Sequence, residues 1–173
     1  MTETPAQYKS RILRHVAGRD PLVLLAAAPA ALAALVADVP PALAARRPAP
    51  GKWSVQEIVA HLADDELVGA YRIRLILSAP GTAIQAFDQD VWAATGRYAS
   101  IDVGTSLRLY RVLREANLAL LNSLSAAEWE SSGVHAERGE ESVRDIATYY
   151  AGHDLNHFAQ IEAILAAHRG TLR

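Results

Sequence analysis

The sequence predicts an all-α protein, a four-helix bundle with one long crossover connection. Three observations predict it. Apolar residues recur at steps of three and four through four long stretches, the spacing that lines one face of an α-helix. Three of those stretches open on residues that cap helix N-termini, Asp20, Ser54 and Ser142. No stretch alternates with period two for long enough to build a sheet.

Residues 5–17 form a short leading helix. The first long helix spans 20–37, with Asp20 as N-cap and Pro21 at the first helical position, where a missing N–H costs nothing. The proline-rich run 39–53 ends it and serves as a connector. "SVQE", 54–57, is a capping box that opens a second long helix to Leu77, and "SAPGT", 78–82, stops it. Residues 83–101 lack a clean period and form a long loop with one short helical turn. Loops of that length in a small domain are often functional. The third helix covers 103–123, with Val103, Leu107, Tyr110, Leu113, Asn117, Leu121 and Leu124 on its inward face. "SAAE", 125–128, caps a short helix, and the polar, glycine-containing 133–142 is loop. "SVRD", 142–145, caps the last helix, which stops near Gly170.

A chain of 173 residues, 51% hydrophobic and 21% charged, suits one globular domain over 1–173 with its own core. The net charge of −2 supplies no drive toward nucleic acid or an anionic membrane. With no cysteine there is no disulfide, and any thiol in the chemistry comes from outside the chain. The uncharged run Pro21–Ala37 follows a charged segment, contains Pro29, and is shorter than the roughly 20 residues of a membrane span. It reads as a packed helix, and a cytoplasmic location is expected.

The chemistry concentrates in "YYAGHDLNHFAQIEAIL", 149–165. Ile146, Tyr150, His153, His157, Ile161 and Ile164 form the inward stripe of the last helix. Imidazoles at i and i+4 lie about 6 Å apart and can converge on one ion. Two core histidines, each with its own hydrogen-bond partner, would fit the same pattern. His61 in the second helix shares a face with Ile58 and Val68, and so also points inward. Three histidines from two helices make a His₃ site with an open fourth position, the form of a catalytic metal rather than a closed structural one. Asp64 and Asp65, three and four residues after His61, are the candidate catalytic residues, placed to orient an imidazole or a water.

Other polar residues read more plainly. His15, His135 and His168 are expected to be ordinary, and Trp53 to staple the start of the second helix. "FDQDVW", 87–92, could border the metal pocket or simply pack over the bundle end. Tyr150 could supply a hydroxyl near the site, and Asn156 and Gln160 flank His157. Arg72 and Arg74 could bind an anion, although a solvated position is the commoner case for arginine.

"GKWSVQEIVAHLADDE" paired with the distant "AGHDLNHFAQIEAI" resembles the DinB/YfiT-like family of metal-binding four-helix bundles. The resemblance extends over nearly the whole chain, through "RPAPGKW", "DQDVW" and "LRLYRVLREANLALLNSL". It implies a divalent metal, zinc or nickel, on His61, His153 and His157. It also implies either hydrolysis or transfer of an external low-molecular-weight thiol such as bacillithiol or mycothiol. A small-molecule substrate is expected, with no nucleic acid and no membrane as partner, and a homodimer is compatible with the family. A non-catalytic, metal-stabilised module that binds a small ligand is the alternative; it predicts a filled coordination sphere and no cleft leading to the metal.

Overall fold

The computed structural model describes residues 4–171, and its helices begin where side chains can satisfy their free N–H groups. Thr4 and Gln7 cap α1 (Pro5–Arg14) reciprocally, and Asp20 accepts from Leu22 N–H at the start of α2 (Pro21–Val36). The connector contains one turn, α3 (Pro41–Ala44). α4 (Val55–Ser78) opens on the expected box: Ser54 N–H donates to Glu57 Oε2 at 2.8 Å and Glu57 N–H to Ser54 Oγ at 3.2 Å. β1 (Ala83–Ile84), α5 (Gln89–Thr95) and a 3₁₀ turn (Tyr98–Ser100) follow. Asp102 caps α6 (Val103–Leu121), and Ser125 with Glu128 caps α7 (Ala126–Trp129). After β2 (Ser132–His135) and β3 (Gly139–Ser142) comes α8 (Val143–Thr171), where Ser142 and Asp145 exchange bonds. α8 is described through Thr171, one residue past the Gly170 near which the sequence placed its end.

The four long helices pack in a ring of order α2, α6, α4, α8, and α1 lies on the outside of α8. Consecutive long helices therefore sit mainly across the ring from each other. One core cluster gathers Leu32, Val59, Tyr110 and Ile161, and a second gathers Ile12, Ile76, Ile146 and Tyr150. Two glycines set the close approaches. A Cβ at Gly152 would run into the Ile12 carbonyl, which lets α1 sit down on α8. A Cβ at Gly69 would stand 2.7 Å from the Tyr150 ring, which fixes α4 against α8.

Two expectations need correction. The segment 133–142 is not loop, and a sheet does form: β2 and β3 pair as an antiparallel hairpin, and β1 joins β2 in parallel, in the order β1, β2, β3. The hairpin turns at Gly139, which takes the left-handed φ of 76° that a three-residue loop wants. Its buried positions are Gly133, His135 and Glu141, so no apolar alternation marks it in the sequence. Glu141 accepts from Arg138 (2.7 and 2.8 Å) and from Lys9 (3.0 Å), which ties the hairpin to α1. The crossover is also more ordered than expected, with a strand, a two-turn helix and a 3₁₀ turn in place of one helical turn.

Candidate metal centre

α4 and α8 are neighbours in the ring, and their facing stripes bring three imidazoles together. His61, His153 and His157 are all buried, as are Ile146, Tyr150, Ile161 and Ile164 of the expected stripe. His153 Nε2 stands 3.4 Å from His61 Nε2 and 3.1 Å from His157 Nε2. Tetrahedral ligands at zinc–nitrogen distance are about 3.4 Å apart, so the spacing suits one shared ion. The Trp53 ring covers the cluster, 4.7 Å from the His61 ring centroid and stacked on His157 at 6.4 Å. Its place against the histidines was not legible from its position before the Ser54 cap.

The surroundings of the rings set their tautomers. Gln160 Oε1 lies 3.0 Å from His157 Nδ1, and a carbonyl oxygen accepts, so that nitrogen carries the proton. Asp65 Oδ2 lies 3.2 Å from His153 Nδ1, close but out of line for a hydrogen bond, and favours a proton there too. Both Nε2 atoms then present lone pairs to each other across 3.1 Å. A proton would relieve the repulsion, but burial first, and neighbouring histidines next, push His153 well below the usual imidazole range. Burial and His61 bring His157 down to about 3. A metal cation between neutral nitrogens is what this donor set fits.

Those depressed values carry a stability prediction. The unfolded histidines titrate near ~6.5. Between there and about 3 the unfolded chain binds the His157 proton and the folded chain does not. The contribution is therefore complete above the unfolded value and is lost as pH falls through this window. Thermal melts of metal-free protein between pH 7.5 and 5 should show a declining Tm, and His157→Gln should flatten the decline. An unchanged slope would assign the effect to other groups.

Beneath the histidines lies a buried ion cluster that the sequence reading missed. Arg114 of α6 donates through Nε and Nη2 to Glu66 Oε2 (2.9 and 2.6 Å) and through Nη1 to Asp154 Oδ2 (2.8 Å). Tyr110 Oη–H donates to the same Asp154 oxygen at 2.8 Å, and Asn117 Nδ2 to Glu66 Oε1 at 2.7 Å. Asp154 follows His153 directly, so the cluster braces α8 at a candidate ligand.

The two candidate aspartates diverge. Asp65 is buried and faces both His153 and, at 3.7 Å, His61 Nε2. Burial raises its pKa, with His61 and Arg72 pulling the other way. Asp64 turns aside and accepts from the Tyr98 hydroxyl at 2.7 Å, which fastens the crossover to α4. Two openings adjoin the cluster. A cavity of about 270 Å³ includes Asp65, Phe87, Gln89 and Tyr150 in its wall. A polar cleft of about 420 Å³ includes Arg11, Lys52, Asp90 and His157. The "FDQDVW" segment thus does border the site. Arg72 is buried rather than solvated, held by Gln85 O at 2.9 Å, while Arg74 is exposed. His135 is buried as well, not an ordinary loop histidine.

Among the described residues no helix is long and apolar enough to cross a membrane. An Oceanobacillus iheyensis protein carrying the name "Putative metal-dependent hydrolase" is 30% identical over 70% of this chain and 69% of its own length. A Bacillus licheniformis protein with the same description is 32% identical over 65% of each chain. This chain thus spans about two thirds of the length of those relatives. The fold is similar to that of YfiT from Bacillus subtilis, described as "a probable metal-dependent hydrolase with an unusual four-helix bundle topology". The TM-score is 0.77, with 22% identity, 94% of this chain and 88% of that one covered. Residues 24–161, from within α2 through the histidine pair of α8, match the DinB superfamily, and the chain belongs to it.

Proposed function

We propose that this is a metal-dependent hydrolase in which His61, His153 and His157 hold a divalent ion, zinc or nickel, and Asp65 manages the proton of the nucleophile. The observation that carries the reading is the convergence of three neutral, buried imidazoles beside one buried carboxylate. A divalent ion on three nitrogens supplies Lewis acidity and lowers the pKa of a water or thiol at its open position. Gln160 and Asp65 orient the rings, Trp53 and Tyr149 limit solvent on either side, and Asp65 stands where it can take up a proton. Asp64 acts as a positioning residue through Tyr98. The names of the curated relatives support hydrolysis.

A second reading, transfer of an external low-molecular-weight thiol, draws support from the cleft at His157, whose wall includes Arg11 and Lys52. The same cleft speaks against a closed, purely structural site. A small-molecule substrate and a cytoplasmic setting accompany either reaction.

Cobalt-substituted protein tests the reading. Its visible spectrum should change on addition of azide or a small thiol, since three ligands leave a position open. Asp65→Asn should keep the metal while lowering ester or amide hydrolysis by about 10²-fold or more, as for loss of a general base. Asp64→Asn should have the smaller effect. A spectrum indifferent to every added ligand would remove the catalytic reading and leave a metal-stabilised binding module.

A further inference from the structure

We propose that the cavity between Asp65 and the hairpin is a subsite for the carboxylate of a small, singly charged substrate, held by Arg72 and His135. As a substrate subsite it rests on the hydrolase reading above; as an anion site it stands alone. Two groups in its wall carry the inference: an orphaned His135 N–H and a buried guanidinium without an ion-pair partner among the described residues. Arg72 is 5% exposed, yet among the described residues it has no carboxylate partner within ion-pair distance. Its bond to Gln85 O and the Phe87 ring 5.6 Å away hold the guanidinium without neutralising it. A buried charge in that condition is costly unless a counter-ion arrives.

His135 is 2% exposed, and its Nδ1 accepts from Glu137 N–H at 3.1 Å. The ring proton is therefore on Nε2, which is buried without a partner. Burial, with Arg138 and Arg72 nearby, lowers the His135 pKa to about 4, so the ring is neutral. Such orphaned donors are rare in folded proteins.

The charge balance selects the ligand. Arg138 and Lys9 share Glu141, and Asp65, turned toward the histidines, lies within the field of Arg72. Glu137 sits at the exposed rim. Lys9, Arg72 and Arg138 set against Glu141 and Asp65 leave one positive charge, beside one neutral N–H, which suits a monoanionic carboxylate better than a dianionic phosphate. The Tyr149 and Tyr150 hydroxyls, whose pKa values burial raises further, add donors to the same wall.

The test is calorimetric titration of metal-loaded and chelator-treated protein with acetate, acetamide and inorganic phosphate at pH 7.5. Acetate should bind in both forms and acetamide in neither, with phosphate weaker than acetate. Arg72→Gln should weaken acetate at least roughly tenfold, the order for one lost charge-assisted bond, while its metal content stays at the wild-type level. In wild-type protein the His135 Nε2 resonance should shift with acetate along the same isotherm, which keeps the test valid if the variant folds poorly. Acetate binding that vanishes with chelator would put the anion on the metal and overturn the subsite. So would wild-type affinity in Arg72→Gln, a stationary His135 resonance, or tighter binding of phosphate. Metal-free protein that still binds acetate would keep the subsite even if the hydrolase reading failed.

Discussion

Arg114→Met should destabilise the protein by about 3–5 kcal/mol, the range for removing one partner from a buried ion cluster. For a chain of this length that corresponds to a Tm lower by about 6–20 °C. Arg114 is 1% exposed and the only cation bonded to two buried carboxylates, Glu66 and Asp154, among the described residues. Methionine fills much of the volume but leaves both acids with only Asn117 and Tyr110 as donors. Asp154 is already raised by burial despite Arg114, and without the guanidinium it rises further. A raised folded value means stability is retained at low pH and lost as pH climbs through that value. The penalty should therefore be larger at pH 8 than at pH 5. Urea unfolding at the two pH values measures both effects. A loss below about 1 kcal/mol would class the cluster with exposed pairs.

His153→Ala should abolish stoichiometric metal binding. His153 is the central ring, with its Nε2 facing both other histidines. The remaining pair, His61 and His157, belongs to different helices and leaves only two nitrogens for an ion. Loss of a direct ligand should exceed the roughly 10–100-fold that a supporting residue costs, and Gln160→Ala supplies that comparison. Metal analysis after dialysis should give about one ion per wild-type chain and far less in the variant. Equal content in both would detach the metal from this cluster.

Much of this architecture could be read from the chain because local signals and tertiary burial agree. Asp20, Ser54, Ser125 and Ser142 cap helices where their spacing to the next acid or N–H predicts it. The stripe carrying His153 and His157 is inward throughout. The failures share one cause. On α6 the periodicity chose Leu113, but Arg114 is the buried neighbour, because its partners lie 40 and 48 residues away on α8 and α4. Arginine scores as an outward residue until those carboxylates are in view. Arg72 is inward on α4 for the same reason, with its backbone partner in the crossover. The hairpin's buried residues are glycine, histidine and glutamate, which no apolar pattern reports.

The ring order has a kinetic consequence. His153 and His157 are one helical turn apart, whereas His61 and His153 are separated by 92 positions. A nascent α8 can offer two nitrogens early, since helix formation is local and fast. The third nitrogen arrives only after a loop of that length has closed and α4 has docked on α8, a step slowed by chain entropy. An ion that needs all three is a late guest. It adds little to the speed of assembly and acts chiefly to slow the reverse process, so its removal should raise the unfolding rate more than it lowers the folding rate.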